Sequence, residues 1–332
     1  MQKIIFIVGP TASGKSALAI RLAKKFNGEI ISADSRQVYR GLEIGSGAVT
    51  HKEARGVPHH IIGVASPRRA YTIALFVRDA RAAIAAIARR GRVPIVAGGT
   101  AFWVNTLAYG MTLPKVKPNA RMRRALEKKS PAHLLAILKR LDPRRAAAIE
   151  QKNPRRLIRA IEVARALGRV PTLVKHSMFD TLWLGLHPPD ETLSQRIRER
   201  TDDMIRRGLA AETKKLLAAG ISRRRITEFG FEYRAALDYR DGALSRGAFH
   251  ERLVRDTMRG SGVTGASVWD SDNRWITIHG TDHLLVRDCV GYRSRGHGYF
   301  LEDATEQWNV LDRNLAVQSI SAKRLPKQVL EF

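Results

Sequence analysis

The stretch KIIFIVGPTASGKSALA (residues 3–19) decides how the rest of the chain is read. Ile4-Ile5-Phe6-Ile7-Val8 is a continuous apolar run, the pattern of a strand covered on both faces. Gly9-Pro10-Thr11-Ala12-Ser13-Gly14-Lys15-Ser16 follows it and matches G-x-x-x-x-G-K-[ST]. Leu18, Leu22 and Phe26 then recur every four residues, which predicts a helix. Strand, glycine loop and helix are the setting in which this motif cradles phosphate. Glycines let successive N–H groups turn inward, and the helix N-terminus adds partial positive charge. Lys15 supplies a full charge, and the Ser16 hydroxyl can ligate Mg²⁺.

Working outward, Glu29-Ile30-Ile31-Ser32 reads as a second buried strand. Residues 73–90 have helical period, with Ile73, Phe76, Val77, Ala80, Ile84 and Ile87 on one face. Val93 to Ala97 is a further strand that runs into Gly98-Gly99-Thr100, and Thr181 to Leu186 is a later one. Residues 190–219 form a long amphipathic stretch stopped at Gly220. The pattern predicts an α/β fold, a P-loop NTPase-like parallel sheet flanked by helices, with a basic all-helical insertion domain. The expected division is 1–114 and 176–280 for the two parts of the P-loop core and 115–175 for the insertion. Residues 281–332 are a divergent tail in which no repeat is evident.

The chain has 332 residues and a net charge of +27. Arg121 to Arg169 alone carry 15 Lys/Arg against 4 Asp/Glu. Such an excess fits either a solubility trait of a basic proteome or a polyanionic partner, tRNA, rRNA or DNA. The single cysteine, Cys289, excludes an intramolecular disulfide framework and a cysteine zinc site. No apolar run reaches the ~18–20 residues of a membrane span. A cytoplasmic protein with no membrane partner is expected.

The phosphate loop alone names no reaction. Asp34, just past the second strand, fits three roles: a metal-binding carboxylate, a general base beside the phosphates, or a cap of the following turn. A small-molecule or nucleotide kinase therefore remains open at this point.

Further motifs narrow the choice. GPTASGKSALA (9–19), ISADSRQVYRGLEIG (31–45), GVPHHII (56–62), VPIVAGGT (93–100), NPRRLIRAIEV (153–163) and RIRERTDDMIRRGLAAE (196–212) stand in one order. Together they resemble the tRNA dimethylallyltransferases, also called tRNA isopentenyltransferases. The resemblance implies transfer of a dimethylallyl group from its diphosphate to N6 of adenine 37, in tRNAs reading codons that begin with U. It implies tRNA and dimethylallyl diphosphate as partners, Mg²⁺ as cofactor and a monomer. The loop at 9–16 then holds a leaving pyrophosphate, with Thr11 and Arg200 contributing. Asp34 becomes the base, and Thr100 stands near the reacting adenine. Implied tRNA contacts are Asp34, Ser35, Arg36, Gln37, Thr100, Arg123, Arg155, Arg156, Leu157, Ile158, Arg159 and Phe229-Gly230-Phe231-Glu232-Tyr233-Arg234. His59 and His60 are a structural signature with no third metal ligand near them.

The chain also departs from that family. Trp103 replaces the tyrosine usual after G-G-T. Ser46-Gly47-Ala48-Val49 stands where T-A-K-P is usual, and Asn153 where Asp is usual. After Met258-Arg259 the expected Y-A-K-R-Q-x-x-W-F is absent, and only Trp269 and Trp275 echo it. A shifted reading frame near codon 260 and a divergent lineage both predict such a tail. Alongside the kinase, a transferase acting on free adenine nucleotides and an inactive tRNA-binding relative stay open.

Overall fold

The structure is a computed structural model. It describes residues 1–172, 178–186 and 188–258 with their side chains, the helix backbone to Arg259, and the backbone of short strands between 263 and 319. Cys289 and Trp275 lie outside the described residues.

The N-terminal run forms β1 (Lys3–Val8), followed by the loop and α1 (Lys15–Lys25). Next come β2 (Gly28–Ser32), α2 (His51–Ala54), β3 (His59–His60), α3 (Ile73–Arg89), β4 (Val93–Ala97) and α4 (Ala101–Ala108). After the insertion the chain returns as β5 (Asp180–Gly185). These strands make one parallel sheet in the order β3-β2-β4-β1-β5. Its central strands are apolar because both faces are covered: Ile4, Phe6, Ile7, Ile31, Ile95 and Val96 are all buried. Phe6 pairs in register with Trp183 and stacks on it, ring centroids 4.6 Å apart. Every strand ends on the same edge, so the loops after β1, β2 and β4 gather there.

The chain divides into two compact units, Met1–Val104 with Phe179–Phe332, and Asn105–Met178. The second is helical: α5 (Ala120–Glu127), α6 (Pro131–Leu141), α7 (Pro143–Ala148) and α8 (Pro154–Leu167). Ser130, Asp142 and Asn153 each cap a helix by accepting a backbone N–H, and each is followed by proline at the first helical position. Asn153 caps as an aspartate would, so that departure leaves the local structure intact. Leu134, Leu138, Leu157 and Ile161 are fully buried and form the unit's core.

Residues 190–219 are two helices, α9 (Asp190–Arg206) and α10 (Leu209–Ala218). Gly208, at φ +93°, breaks them, a turn that apolar period alone does not reveal. They are followed by α11 (Arg223–Glu228), α12 (Phe231–Arg240) and α13 (Arg246–Arg259).

Beyond α13 the backbone changes architecture. β6 (Val263–Thr264), β7 (Ser267–Ser271), β8 (Ile276–Ile278), β9 (Leu285–Arg287), β10 (Val290–Ser294), β11 (Tyr299–Leu301), β12 (Val310–Asp312) and β13 (Leu315–Ser319) follow in turn. They form three small parallel sheets, β13-β10-β7, β11-β8 and β12-β9-β6. The chain visits the three in rotation, which is a β-solenoid. Val290 pairs with Ser267, 23 residues earlier, and with Leu315, 25 residues later. The tail thus has a repeat where the sequence suggested none, and it begins at 263 rather than 281. Among the described residues these strands pair only with one another.

Candidate functional site

The loop after β1 curls through left-handed backbone at Ala12 (φ +63°) and Gly14 (φ +94°). Lys15 donates from Nζ to the carbonyls of Gly9 at 2.9 Å and Pro10 at 2.5 Å. Burial pulls its ammonium down to about 8; the Asp34 carboxylate opposes this and Arg200 adds to it. Ser13 Oγ is buried with no hydrogen-bond partner among the described residues, a donor suited to a phosphate oxygen. Thr11 and Ser16 are exposed at the loop tip and on the first turn of α1.

The loop after β2 carries Asp34. Its Oδ1 accepts the N–H of Arg36 at 2.8 Å and of Gln37 at 3.3 Å, so the carboxylate caps its own turn. No hydrogen bond to Oδ2 is found among the described residues, which leaves that oxygen available as a proton acceptor. The third loop joins here: the N–H of Ser35 donates to Thr100 Oγ1 at 3.1 Å, and the N–H of Thr100 to Ala33 O at 3.3 Å. Phosphate loop, carboxylate and threonine therefore share one edge of the sheet.

From α9, Arg200 donates to Ser46 O at 3.2 Å. Burial pulls its guanidinium below the ordinary value, against the raising effect of Glu232 and Asp34. A Cβ at Gly47 would overlap that guanidinium, so this chain's glycine seats Arg200. Arg196, one turn earlier on α9, donates to Ser13 O at 3.4 Å. A cleft of about 850 Å³ runs beside the loop, lined by Ser13, Ser16, Ile44, Val49, Arg200 and Met204 among others. Lys15, Asp34 and Thr100 do not line it.

Several expected contact residues lie inside the fold. Phe229 and Tyr233 are buried: Phe229 packs against Tyr39, and Tyr233 donates to Glu212 Oε1 at 2.7 Å. Glu232 is buried and pairs with Arg36 at 2.6 Å. Trp103 is buried too, stacked on Phe76 at 4.5 Å.

Within the helical unit, Leu157 and Ile158 turn their side chains into the core. Arg155 and Arg156 are exposed, Arg156 pairing with Glu150 at 2.9 Å. Arg123 and Arg159 both grip the buried Glu162. Burial pushes Glu162 up, but Arg123, the Asn119 amide and Arg159 overcome it and hold the carboxyl at about 2.

Among the described residues no cluster of three metal-ligating side chains exists. His60 meets Glu29 at 2.6 Å, and the His59 ring bonds the Val57 carbonyl through Nδ1 at 2.8 Å. Sequence reasoning gave no role to Arg196, Glu212 or Gly47. The Arg196/Arg200 pair at i, i+4 was a readable signal. Glu212, which accepts the N–H groups of Ile44 and Gly45 from 167 or more residues away, left none.

Comparison with known proteins bears on this geometry. The family described as IPP transferase matches residues 37–260, and that described as Isopentenyl transferase matches residues 2–62. The family described as CEMIP beta-helix matches residues 242–331. The tRNA dimethylallyltransferase of Thermomicrobium roseum is 41% identical over 265 residues, covering 78% of this chain and 80% of the relative. That of Roseiflexus sp. (strain RS-1) is 42% identical, covering 77% and 87%. A solved tRNA isopentenylpyrophosphate transferase from Bacillus halodurans is 35% identical with a TM-score of 0.58, covering 79% of this chain and 84% of that one. A eukaryotic dimethylallyltransferase solved while acting on tRNA is 30% identical with a TM-score of 0.63, covering 79% and 68%. The β-helix match spans the solenoid strands.

Proposed function

The chain belongs to the tRNA dimethylallyltransferase (IPP transferase) family, and from that premise we propose how its residues move a dimethylallyl group from dimethylallyl diphosphate to N6 of adenine 37 in tRNAs reading codons that begin with U. The observation carrying this reading is the junction of three loops: Ser35 bonded to Thr100, and Asp34 close enough to act electrostatically on Lys15.

The diphosphate lies against the amides of residues 9–16, with Lys15, Thr11 and Arg200 around it. Charge grows on its bridging oxygen as the allylic C–O bond breaks, and these fixed donors stabilise it without reorganisation. Arg200 belongs to both regions, lining the cleft while its charge is felt at Asp34. The cleft's apolar wall, with Ile44, Val49 and Met204, suits the approach of a five-carbon chain. As N6 of adenine bonds to the allylic carbon it loses a proton, and Asp34 Oδ2 receives it. Pyrophosphate departs. Ser16, exposed on the first turn of α1, would hold a Mg²⁺ ion through its hydroxyl. When bound, the ion neutralises charge on the leaving group.

Adenine 37 sits in a single-stranded loop, so extruding it costs only a few kcal/mol. The exposed arginines of the helical unit, Arg155 and Arg156, supply phosphate contacts that position the tRNA. No helix among the described residues is long and apolar enough to cross a membrane. We take the enzyme to be a monomer, and a tRNA substrate fits a cytoplasmic enzyme.

The test is transfer of labelled dimethylallyl diphosphate, with Mg²⁺, to an unmodified tRNA carrying A36-A37-A38. Label on N6 of A37 is expected, with large losses for Lys15→Ala and Asp34→Ala. Asp34→Ala should keep salt-sensitive tRNA binding. ATP turnover without RNA, and no transfer, would instead indicate a kinase.

A further inference from the structure

Glu232 is a buried carboxylate with no part in the transfer just described. It sits at the first turns of α12 and reaches Arg36, 196 residues away in sequence, at 2.6 Å. Gly230 makes this approach possible: its backbone is left-handed (φ +139°), and a Cβ there would collide with both the Arg36 guanidinium and the Glu232 carboxylate. The Arg36 guanidinium also lies 5.8 Å from the centroid of the Phe231 ring. The partner of Glu232 is therefore the residue whose N–H holds Asp34 Oδ1 at 2.8 Å.

Two further charges face Glu232. Arg200 and Asp34 both act on it electrostatically, Arg200 favouring its ionised form and Asp34 opposing it. The groups thus alternate in sign: Lys15, Asp34, Arg36 with Arg200, and Glu232. Removing the last would leave two guanidinium groups beside Asp34 with one carboxylate to share.

We propose that Glu232 is a positioning residue for the transfer reaction: by clamping Arg36 it fixes the turn that aims Asp34, and it makes no contact with tRNA. This rests on the reading of Asp34 as the base. A direct tRNA contact is the competing role for the same residue, and burial argues against it, since the Glu232 side chain is 11% exposed. A carboxylate is also repelled by a phosphate backbone.

The variants are Glu232→Gln, which keeps size and one acceptor, Arg36→Met, the double variant, and Asp34→Asn. Steady-state transfer is read as kcat and as KM for each substrate. Amide hydrogen exchange at Arg36 and Gln37 is read without substrates. For Glu232→Gln we expect kcat to fall about tenfold to a hundredfold with both KM values within about twofold. Exchange at the two amides should quicken by about tenfold. In the double variant kcat should be no lower than in Arg36→Met alone, because the two act as one device. A raised KM for tRNA at unchanged kcat would assign Glu232 to tRNA contact and overturn the proposal. So would unchanged kcat together with unchanged amide exchange. Asp34→Asn separates the two layers: full transfer by that variant removes the base assignment. An inactive Asp34→Asn beside a fully active Glu232→Gln removes this inference alone.

Discussion

Asp34 Oδ1 accepts the N–H of Arg36 at 2.8 Å, so the carboxylate assigned to proton acceptance also braces the turn it sits on. The two jobs use different oxygens and can be separated by mutation. Asp34→Asn keeps an acceptor at Oδ1 and loses the base. It should melt within about 2 °C of the parent while kcat drops at least about a hundredfold. Asp34→Ala loses both, and an added destabilisation of about 1 kcal/mol should appear in urea unfolding.

Lys15 gives the reaction its alkaline limb. With its ammonium near 8 in the free protein, it is charged below that pH and neutral above it. The diphosphate binds the charged form. Hence kcat/KM for dimethylallyl diphosphate should be level on the acid side of about 8 and fall about tenfold per pH unit above it. Lys15→Arg should lose that limb while keeping some activity, which initial rates across pH would show.

Gly47 is where Arg200 rests. Its φ of +59° and the guanidinium against it make any side chain doubly unwelcome. Gly47→Ala should displace Arg200 and raise KM for the diphosphate about tenfold, with a smaller effect on KM for tRNA. The two KM values, measured separately, check this.

Glu29 sits at the far end of β2 from the reacting groups. It is 3% exposed and shared by Arg90, Arg92 and His60. Burial pushes its carboxyl up, yet Arg90, His60 and Arg92 outweigh that and hold it at about 2. A carboxyl with a depressed value stabilises the fold above its ordinary value of 4.5, and the benefit fades as pH drops toward about 2. Glu29→Gln should cost about 2 kcal/mol in urea unfolding at pH 7, and the gap from the parent should close on acidification. Transfer activity of the folded variant at pH 7 should stay near normal.

Much of this site was legible because its parts are local in sequence. A phosphate loop needs one strand end, eight consecutive residues and a helix start, and all of them lie between Lys3 and Lys25. The strand ends at Ser32 and Ala97 were readable from apolar runs bounded by glycine and polar residues. The two-residue β3 was not, because it is too short to show any period. Contacts formed across long separations, such as Glu232 with Arg36 or Gly47 with Arg200, leave no pattern in one sequence. The buried positions of Leu157, Ile158, Phe229 and Tyr233 show the same gap: a motif tells which residues travel together, and packing decides which of them face out. The solenoid was missed for a different reason. Ser267, Val290 and Leu315 occupy equivalent places in successive layers although they share no chemistry, so the repetition is of backbone path and not of residue type.

That path has a mechanical corollary. Each circuit of 23 or 25 residues climbs by one inter-strand spacing, about 4.8 Å, so length is added to the C-terminal region in whole storeys. Duplicating Ser267 to Cys289 would insert one complete layer and leave its neighbours stacked as before. Removing half a circuit would put the strands that follow out of register with the layer before them, and the pile above would have nothing to stand on.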